Sequence, residues 1–388
     1  MSGDHGPSRD GYLAALASLE RVGPARLRWM LALGDPEQVW GMVAAGRLPP
    51  EPPVRGEREL PERWRRAAAT APNLPAQMDA RMQTLGVEVI AGGDMPGFLG
   101  EEPEPPPVLF CSGAVRSAPT HTVAIVGTRR ATSYGIRVAR QLGRALSAEG
   151  VSVVSGLAIG IDAAAHEGAL EAPTPAVAVV GAGHDRPCPR RNRELARRLE
   201  GRGLVVSEVP PGAGSAPWRF PLRNRLIASF AQVVVVVESA ARGGSMSTVA
   251  EALVRNRAVM AVPGPLGRDS SAGCHELLRD GAHICTGADD VMALLALGAP
   301  PPGASSGPAR RLPPARGGSA GRVAEEQRLP GIAGPVGARV LQELAEGPLT
   351  LDVVVARCGS PADVSEAVAE LEASDMVSVE GGWLRRNE

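Results

Sequence analysis

Eight consecutive residues, Trp218-Arg219-Phe220-Pro221-Leu222-Arg223-Asn224-Arg225, gather three guanidinium groups, two aromatic rings and an amide in a chain that is only 3% aromatic. Arginine meets a phosphate with a planar fork of donors, and an aromatic ring offers a face on which a base can stack. Both groups are what an unpaired nucleic acid requires of a protein surface. The same string also reads as the start of a surface helix with a buried phenylalanine, and the residues alone leave the two readings open.

Further anion-binding chemistry recurs after short apolar runs. Gly127-Thr128-Arg129-Arg130 follows the run ending at Val126. Ser155-Gly156-Leu157-Ala158-Ile159-Gly160-Ile161-Asp162 follows the run ending at Val154. Gly181-Ala182-Gly183-His184-Asp185-Arg186 follows Val180, and Glu238-Ser239 with Arg242-Gly243-Gly244-Ser245 follows Val237. Glycine turns that feed helix N-termini present unpaired N–H groups, which attract anions. Arginine recurs at the same expected edge, as Arg129, Arg130, Arg186, Arg190, Arg191, Arg223, Arg225 and Arg242, and residues 120–298 carry 20 arginines against 15 carboxylates.

Other constellations are weaker. Asp162 and His166 stand four residues apart, where an Asp–His pair could do acid–base work or brace a turn; bracing is the favoured reading. Cys274-His275 and His283-x-Cys285 have the residue types of a zinc site, yet read better as packed structure, and no metal is expected. Gly181-Ala182-Gly183 lacks the third glycine of a dinucleotide loop, whose place Arg186 takes, so no nucleotide cofactor is expected either.

The elements that must position these residues are legible in the patterning. Near-continuous apolar runs at Val123–Val126, Val151–Val154, Val177–Val180, Leu204–Val206, Val233–Val237 and Val259–Val262 alternate with amphipathic stretches such as 135–148 and 245–255. Strands of that kind are buried on both faces, and alternation with helices makes them parallel. The expectation is an α/β, doubly wound, Rossmann-like parallel sheet, with ligands at the carboxyl ends of its strands. Residues 1–72 read as a small helical domain in which Leu19 to Arg26 resembles a helix-hairpin-helix turn, akin to SAM-like bundles. Residues 49–75, rich in proline and charge, read as a linking stretch. Residues 73–298 form the extended Rossmann-like domain, with two short strands around an acidic, proline-rich excursion from Gly100 to Pro107. Residues 299–334 read as a disordered linker. Residues 335–388 read as three helices and a hairpin, which suggest a winged-helix-like domain; it has 10 carboxylates against 4 arginines, and its third helix, with Asp363, Glu366, Glu370 and Glu372 and no arginine, is better suited to protein than to DNA.

Composition narrows the choices. The chain has 388 residues, a net charge of −1 and 41 basic residues, every one an arginine. Without lysine there is no Walker A lysine, Schiff base or lysine general base, which excludes P-loop ATP hydrolysis. Five widely spaced cysteines fit reduced thiols and a cytoplasmic location. No run approaches a membrane span.

The motifs in their order resemble the DNA processing protein A (DprA/Smf) family. They are Val126-Gly127-Thr128-Arg129 with Ser133-Tyr134-Gly135; Ser155 to Asp162 with Ala165-His166; Phe220-Pro221-Leu222-Arg223-Asn224-Arg225; Gly243-Gly244-Ser245; and Val262-Pro263-Gly264 with Gly273-Cys274 and Gly281-Ala282. The resemblance is close over residues 85–298 and loose outside them. It implies a non-catalytic protein that binds and protects incoming single-stranded DNA, dimerises through its Rossmann-like domain and loads the recombinase RecA in natural transformation. It also implies site residues: Gly127, Thr128 and Arg129 at the first turn, Phe220 stacking on a base, Arg223, Asn224 and Arg225 on backbone and base edge, and Gly156, Gly160, Gly243, Gly244 and Ser245 shaping the pocket. Departures are Thr128 in place of the usual serine, Cys188-Pro189 and Met95-Pro96 in place of tyrosine-proline, and arginine or nothing where the family has lysine. A second reading is a nucleotide-processing enzyme of the phosphoribohydrolase type, whose glycine loop Gly243 to Thr248 with Glu251 faintly echoes.

Overall fold

The computed structural model describes residues 6–49, 59–114, 121–186, 189–214, 216, 218–297, 334–344, 349–358, 364, 368, 371, 377–380 and 383–386. Cys188 and all of the expected linker 299–334 except Gly334 lie outside the described residues. The chain forms two compact units, 1–313 and 314–388.

The first unit begins with helices α1 (Arg9–Ser18), α2 (Pro24–Leu31), α3 (Pro36–Ala44), α4 (Leu60–Thr70) and α5 (Leu74–Leu85). Pro24, at the first position of α2, fits a helix start because its missing N–H has no partner to lose there. The linking stretch expected over 49–75 is corrected here, since 60–70 is α4. Leu60, Trp64 and Ala68 recur every four residues and bury one face, with Trp64 fully enclosed and its Nε1–H donating to the Glu20 carbonyl at 2.8 Å. Proline and charge mark the exposed face of this helix and obscure the stripe beneath. Strands β1 (Glu88–Ala91) and β2 (Val108–Gly113) follow, joined through the short α6 (Gly97–Gly100), and Val108 and Phe110 share a core with α1, α3, α4 and α5.

Next come β3 (Thr122–Val126), α7 (Ser133–Ala148), β4 (Ser152–Ser155), α8 (Ile161–Ala169), β5 (Val177–Val180), α9 (Arg193–Glu200), β6 (Leu204–Ser207), α10 (Arg219–Phe230), β7 (Val233–Val236), α11 (Gly244–Val254), β8 (Ala258–Ala261), α12 (Asp269–Arg279), β9 (His283–Ile284) and α13 (Ala288–Ala296). The nine strands order as β1-β2-β6-β5-β4-β3-β7-β8-β9, parallel from β6 to β9, with β1 and β2 antiparallel on one edge. Alternate residues go to opposite faces: Val123 and Ile125 share a core with α7, α8, α9 and α13, while Ala124 and Val126 share one with α10, α11 and α12. The doubly wound parallel sheet expected from the apolar runs is therefore present. Strand order reverses between β3 and β7, so the loops after these two strands open a crevice at the carboxyl edge.

The excursion between α6 and β2 is pinned from both sides. Glu102 is buried, ion-paired with Arg255 and 3.8 Å from Arg257. Arg225 donates to the Glu104 carbonyl at 2.8 Å, and Arg28 of α2 donates to the Pro105 carbonyl at 2.9 Å.

The second unit holds α14 (Gly334–Leu344), β10 (Leu349–Thr350), α15 (Leu351–Cys358), β11 (Val377–Glu380) and β12 (Trp383–Arg386). Its antiparallel sheet runs β10-β12-β11, and Val340, Val354, Leu371 and Leu384 are buried in its core together with the helical residues Val364 and Val368.

Candidate nucleic-acid interface

The crevice is built from the backbone outward. After β3 the Thr128 amide donates to the Glu238 carbonyl beyond β7 at 2.7 Å, which locks the two loops together. The buried Glu238 carboxylate accepts from the Thr132 amide at 2.8 Å and the Thr132 hydroxyl at 2.5 Å, while Thr132 Oγ1 caps α7 by accepting from Gly135. Sequence reasoning left Glu238 and Thr132 without roles. The signal was available in Thr132 itself, a threonine directly before a helical stretch.

Gly160 lies under this turn at φ 86° and ψ −126°, a conformation that side chains avoid. A methyl group there would press on the Thr128 carbonyl and come within 3.0 Å of the Arg129 carbonyl. The glycine thus lets the loop before α8 lie directly against the Gly127–Arg129 turn. The loop from Ser155 to Ile161 is held in a strained shape, with Leu157 at φ 55° and fully buried. Two contacts over-determine it. Asp162 accepts from the Gly156 amide at 3.1 Å and the Ala158 amide at 3.4 Å, and Asn192 Nδ2 donates to the Leu157 carbonyl at 2.9 Å. Burial pushes the Asp162 carboxyl above its usual range, against the pull of Arg223 and of those two amides. His166 is fully buried, and neither ring nitrogen makes a hydrogen bond of regular geometry. Burial drives its imidazole down to about 4, so the ring is neutral. Asp162 is a loop brace and His166 an enclosed neighbour of the same loop.

The arginines divide into two groups. Arg129, Arg130, Arg186, Arg190, Arg191 and Arg242 are exposed, in segments that follow β3, β5 and β7. The Arg129 guanidinium lies 4.8 Å from the centre of the half-buried Phe220 ring, so the first turn and the start of α10 meet. Arg223 and Arg225 turn inward and are only 6% and 3% exposed. Arg223 Nη1 donates to the Gly156 and Val179 carbonyls, and its guanidinium occupies the space a side chain at Gly156 would fill. Arg225 pairs with Glu208, whose carboxyl burial raises to about 7 although Arg225 pulls it down. The expectation that Arg223 and Arg225 reach out to a DNA backbone is corrected by these partners: both guanidiniums brace the sheet edge from inside. Their position was readable as helix phase, since Arg223 precedes Leu226, Ile227 and Phe230 at spacings of three, four and seven, on the face α10 buries.

The remaining site residues follow. Asn224 Nδ2 donates to Ser247 Oγ at 2.7 Å, and Ser245 Oγ donates to Ser239 Oγ at 2.8 Å, which ties α10 to α11 and closes the loop after β7. Gly243 precedes the first turn of α11, and a methyl on the exposed Gly244 would touch nothing. Glu251 is engaged by Arg255, one turn along α11. Cys274 and Cys285 are buried apart, their thiols donating to the Val236 and Gly287 carbonyls. Burial raises them to about 11 and about 12. Among the described residues no cluster has the ligands for a metal, and no helix is long and apolar enough to cross a membrane.

What the arrangement offers chemically is an exposed rim of guanidiniums and an aromatic ring around tightly supported glycine turns. The chain is similar to proteins with known names. The chain is 34% identical over 283 residues to the protein Smf of Escherichia coli, covering 72% of each chain. It is 37% identical over 198 residues to the DNA processing protein DprA of Streptococcus pneumoniae, covering 51% of this chain and 70% of that one. The X-ray structure of the Streptococcus pneumoniae protein aligns with a TM-score of 0.58 at 29% identity, covering 74% of this chain and 98% of that chain. DNA processing protein A from Helicobacter pylori, described for its single-stranded DNA binding mode, aligns with a TM-score of 0.50 at 26% identity, covering 55% of this chain and 98% of that one. The family described as DNA recombination-mediator protein A matches residues 87–296. By that match and by its relatives, the chain belongs to the DNA recombination-mediator protein A family.

Proposed function

We propose that this protein binds single-stranded DNA along the carboxyl edge of its parallel sheet and acts as a non-catalytic mediator of recombination. The observation that carries the reading is the stacked pair of Arg129 and Phe220 at the β3 turn, beside the strand-order reversal. Arg129 would take a phosphate and Phe220 a base, and the turns at Gly127, Thr128, Gly156, Gly160, Gly243 and Gly244 would line the path. Arg223, Asn224, Arg225 and Ser245 shape that path from behind. Absence of catalysis is supported by the commitment of Asp162, His166 and Glu251 to internal roles.

On the same reading the protein protects incoming DNA, forms a homodimer through the Rossmann-like domain, hands its strand to RecA and works in the cytoplasm. Helical, Rossmann-like, linker and acidic winged-helix-like regions form its domain plan, the last facing protein rather than DNA. The test is a gel shift with single- and double-stranded oligonucleotides at two salt concentrations. Binding that prefers single strands, tolerates any sequence and weakens steeply with salt is expected. Equal affinity of wild type and Arg129→Ala would reject the site.

A further inference from the structure

Among the described side chains Trp218 is the only exposed aromatic, at 43%. It precedes α10 two residues before Phe220, and the Arg219 guanidinium lies 5.0 Å from the centre of its ring, anchored by a hydrogen bond to the Gly214 carbonyl. The start of α10 therefore carries two adjacent guanidinium–aromatic pairs, Trp218 with Arg219 and Phe220 with Arg129. The six-membered edge of the indole faces the turn between α1 and α2, where a methyl on Gly23 would sit 3.6 Å from it. The ring does not fill the space there: a cavity of about 40 Å³ lined by Val22, Leu27, Glu208 and Leu222 stays open beside it. A large apolar ring left in water, held by a cation and adjoining an unfilled recess, is placed for a ligand with a flat face.

We infer that Trp218 is a second stacking platform for the same strand, so that the bound DNA continues from the β3 turn across α10 toward the α1–α2 turn. The inference rests on the reading above. It assigns Trp218 and Arg219 a binding role, and it makes the N-terminal helices one wall of the DNA path.

Fluorescence-anisotropy titrations of the full chain with oligothymidylates of increasing length test it. Oligonucleotides too short to leave the Phe220 platform should bind wild type and Trp218→Ala alike. Longer ones should lose about 5- to 150-fold with Trp218→Ala, the worth of one stacked base, and regain most of it with Trp218→Phe. Quenching of tryptophan fluorescence by a long oligonucleotide should fall in Trp218→Phe, a readout that survives if the alanine variant folds poorly. Equal affinities for wild type and Trp218→Ala at every length, or undiminished quenching in Trp218→Phe, would overturn the inference while Arg129→Ala still weakens binding. A wild-type chain that binds no oligonucleotide would remove the underlying reading instead.

Discussion

Arg223 and Arg129 stand in the same crevice with opposite jobs, and substituting each by alanine separates brace from contact. Arg223 donates to two buried carbonyls and offsets the buried Asp162 carboxyl. Its loss leaves both acceptors unmet and a charge uncompensated, a cost of about 3–5 kcal/mol by analogy with broken buried pairs. For a unit of this size each kcal/mol lowers Tm by about 2–4 °C, so Arg223→Ala should melt roughly 6–20 °C below wild type. The salt dependence of DNA binding by the folded fraction should not change. Arg129 is exposed, and its protein contact is the Phe220 ring, worth about 0.5–1 kcal/mol. Arg129→Ala should therefore melt within a few degrees of wild type. One phosphate contact fewer should lower the slope of log K against log salt by about 0.7. Calorimetry and filter binding at four salt concentrations measure both quantities. If Arg223→Ala melts with wild type and shallows the salt slope, Arg223 touches the strand and the division drawn here is wrong.

Three more outcomes follow from the same geometry. Gly160→Ala forces a side chain into φ 86° against the Thr128 carbonyl, so it should cost roughly 3 kcal/mol or more in urea unfolding and weaken DNA binding through the displaced turn; full affinity with unchanged stability would contradict this. His166 has a folded value near 4 against about 6.5 unfolded, so the stability it supplies is complete above pH 6.5 and drains away as pH falls toward 4, about 3 kcal/mol in all. His166→Asn should flatten that part of the stability curve, and parallel curves for the two proteins would count against an enclosed neutral ring. Cys111, Cys274 and Cys285 are buried and held at about 12, 11 and 12, so native protein should resist maleimide at all three positions until urea is added, as mass spectrometry of peptides would show. Rapid native labelling of any of them would refute their placement.

The parallel sheet was legible because burial on both faces demands runs such as Val233 to Val236, which few other elements tolerate. The crevice was legible for the same reason, since the turns after such runs can only lie at one edge. Helix phase was harder to read. Arg223 and Arg225 look like surface residues until α10 is rotated by its apolar positions, and only then does the guanidinium of Arg223 fall behind Gly156. The helix at 60–70 hid behind proline and arginine because its stripe has three members, one of them Trp64. The two-residue strand at His283–Ile284 is too short to show any period, and pairing with β8 alone defines it.

The pinned segment between α6 and β2 has a mechanical consequence. Arg28 comes from the helical layer, Arg225 from the centre of the sheet unit and Arg255 from the far end of α11, and all three converge on residues 102 to 105. Its prolines already restrict the backbone, so little slack is left between the fastenings. Strain that pulls the helices away from the sheet is shared by this rivet. Residues 102 to 105 should accordingly resist proteases, which should cut the chain elsewhere first.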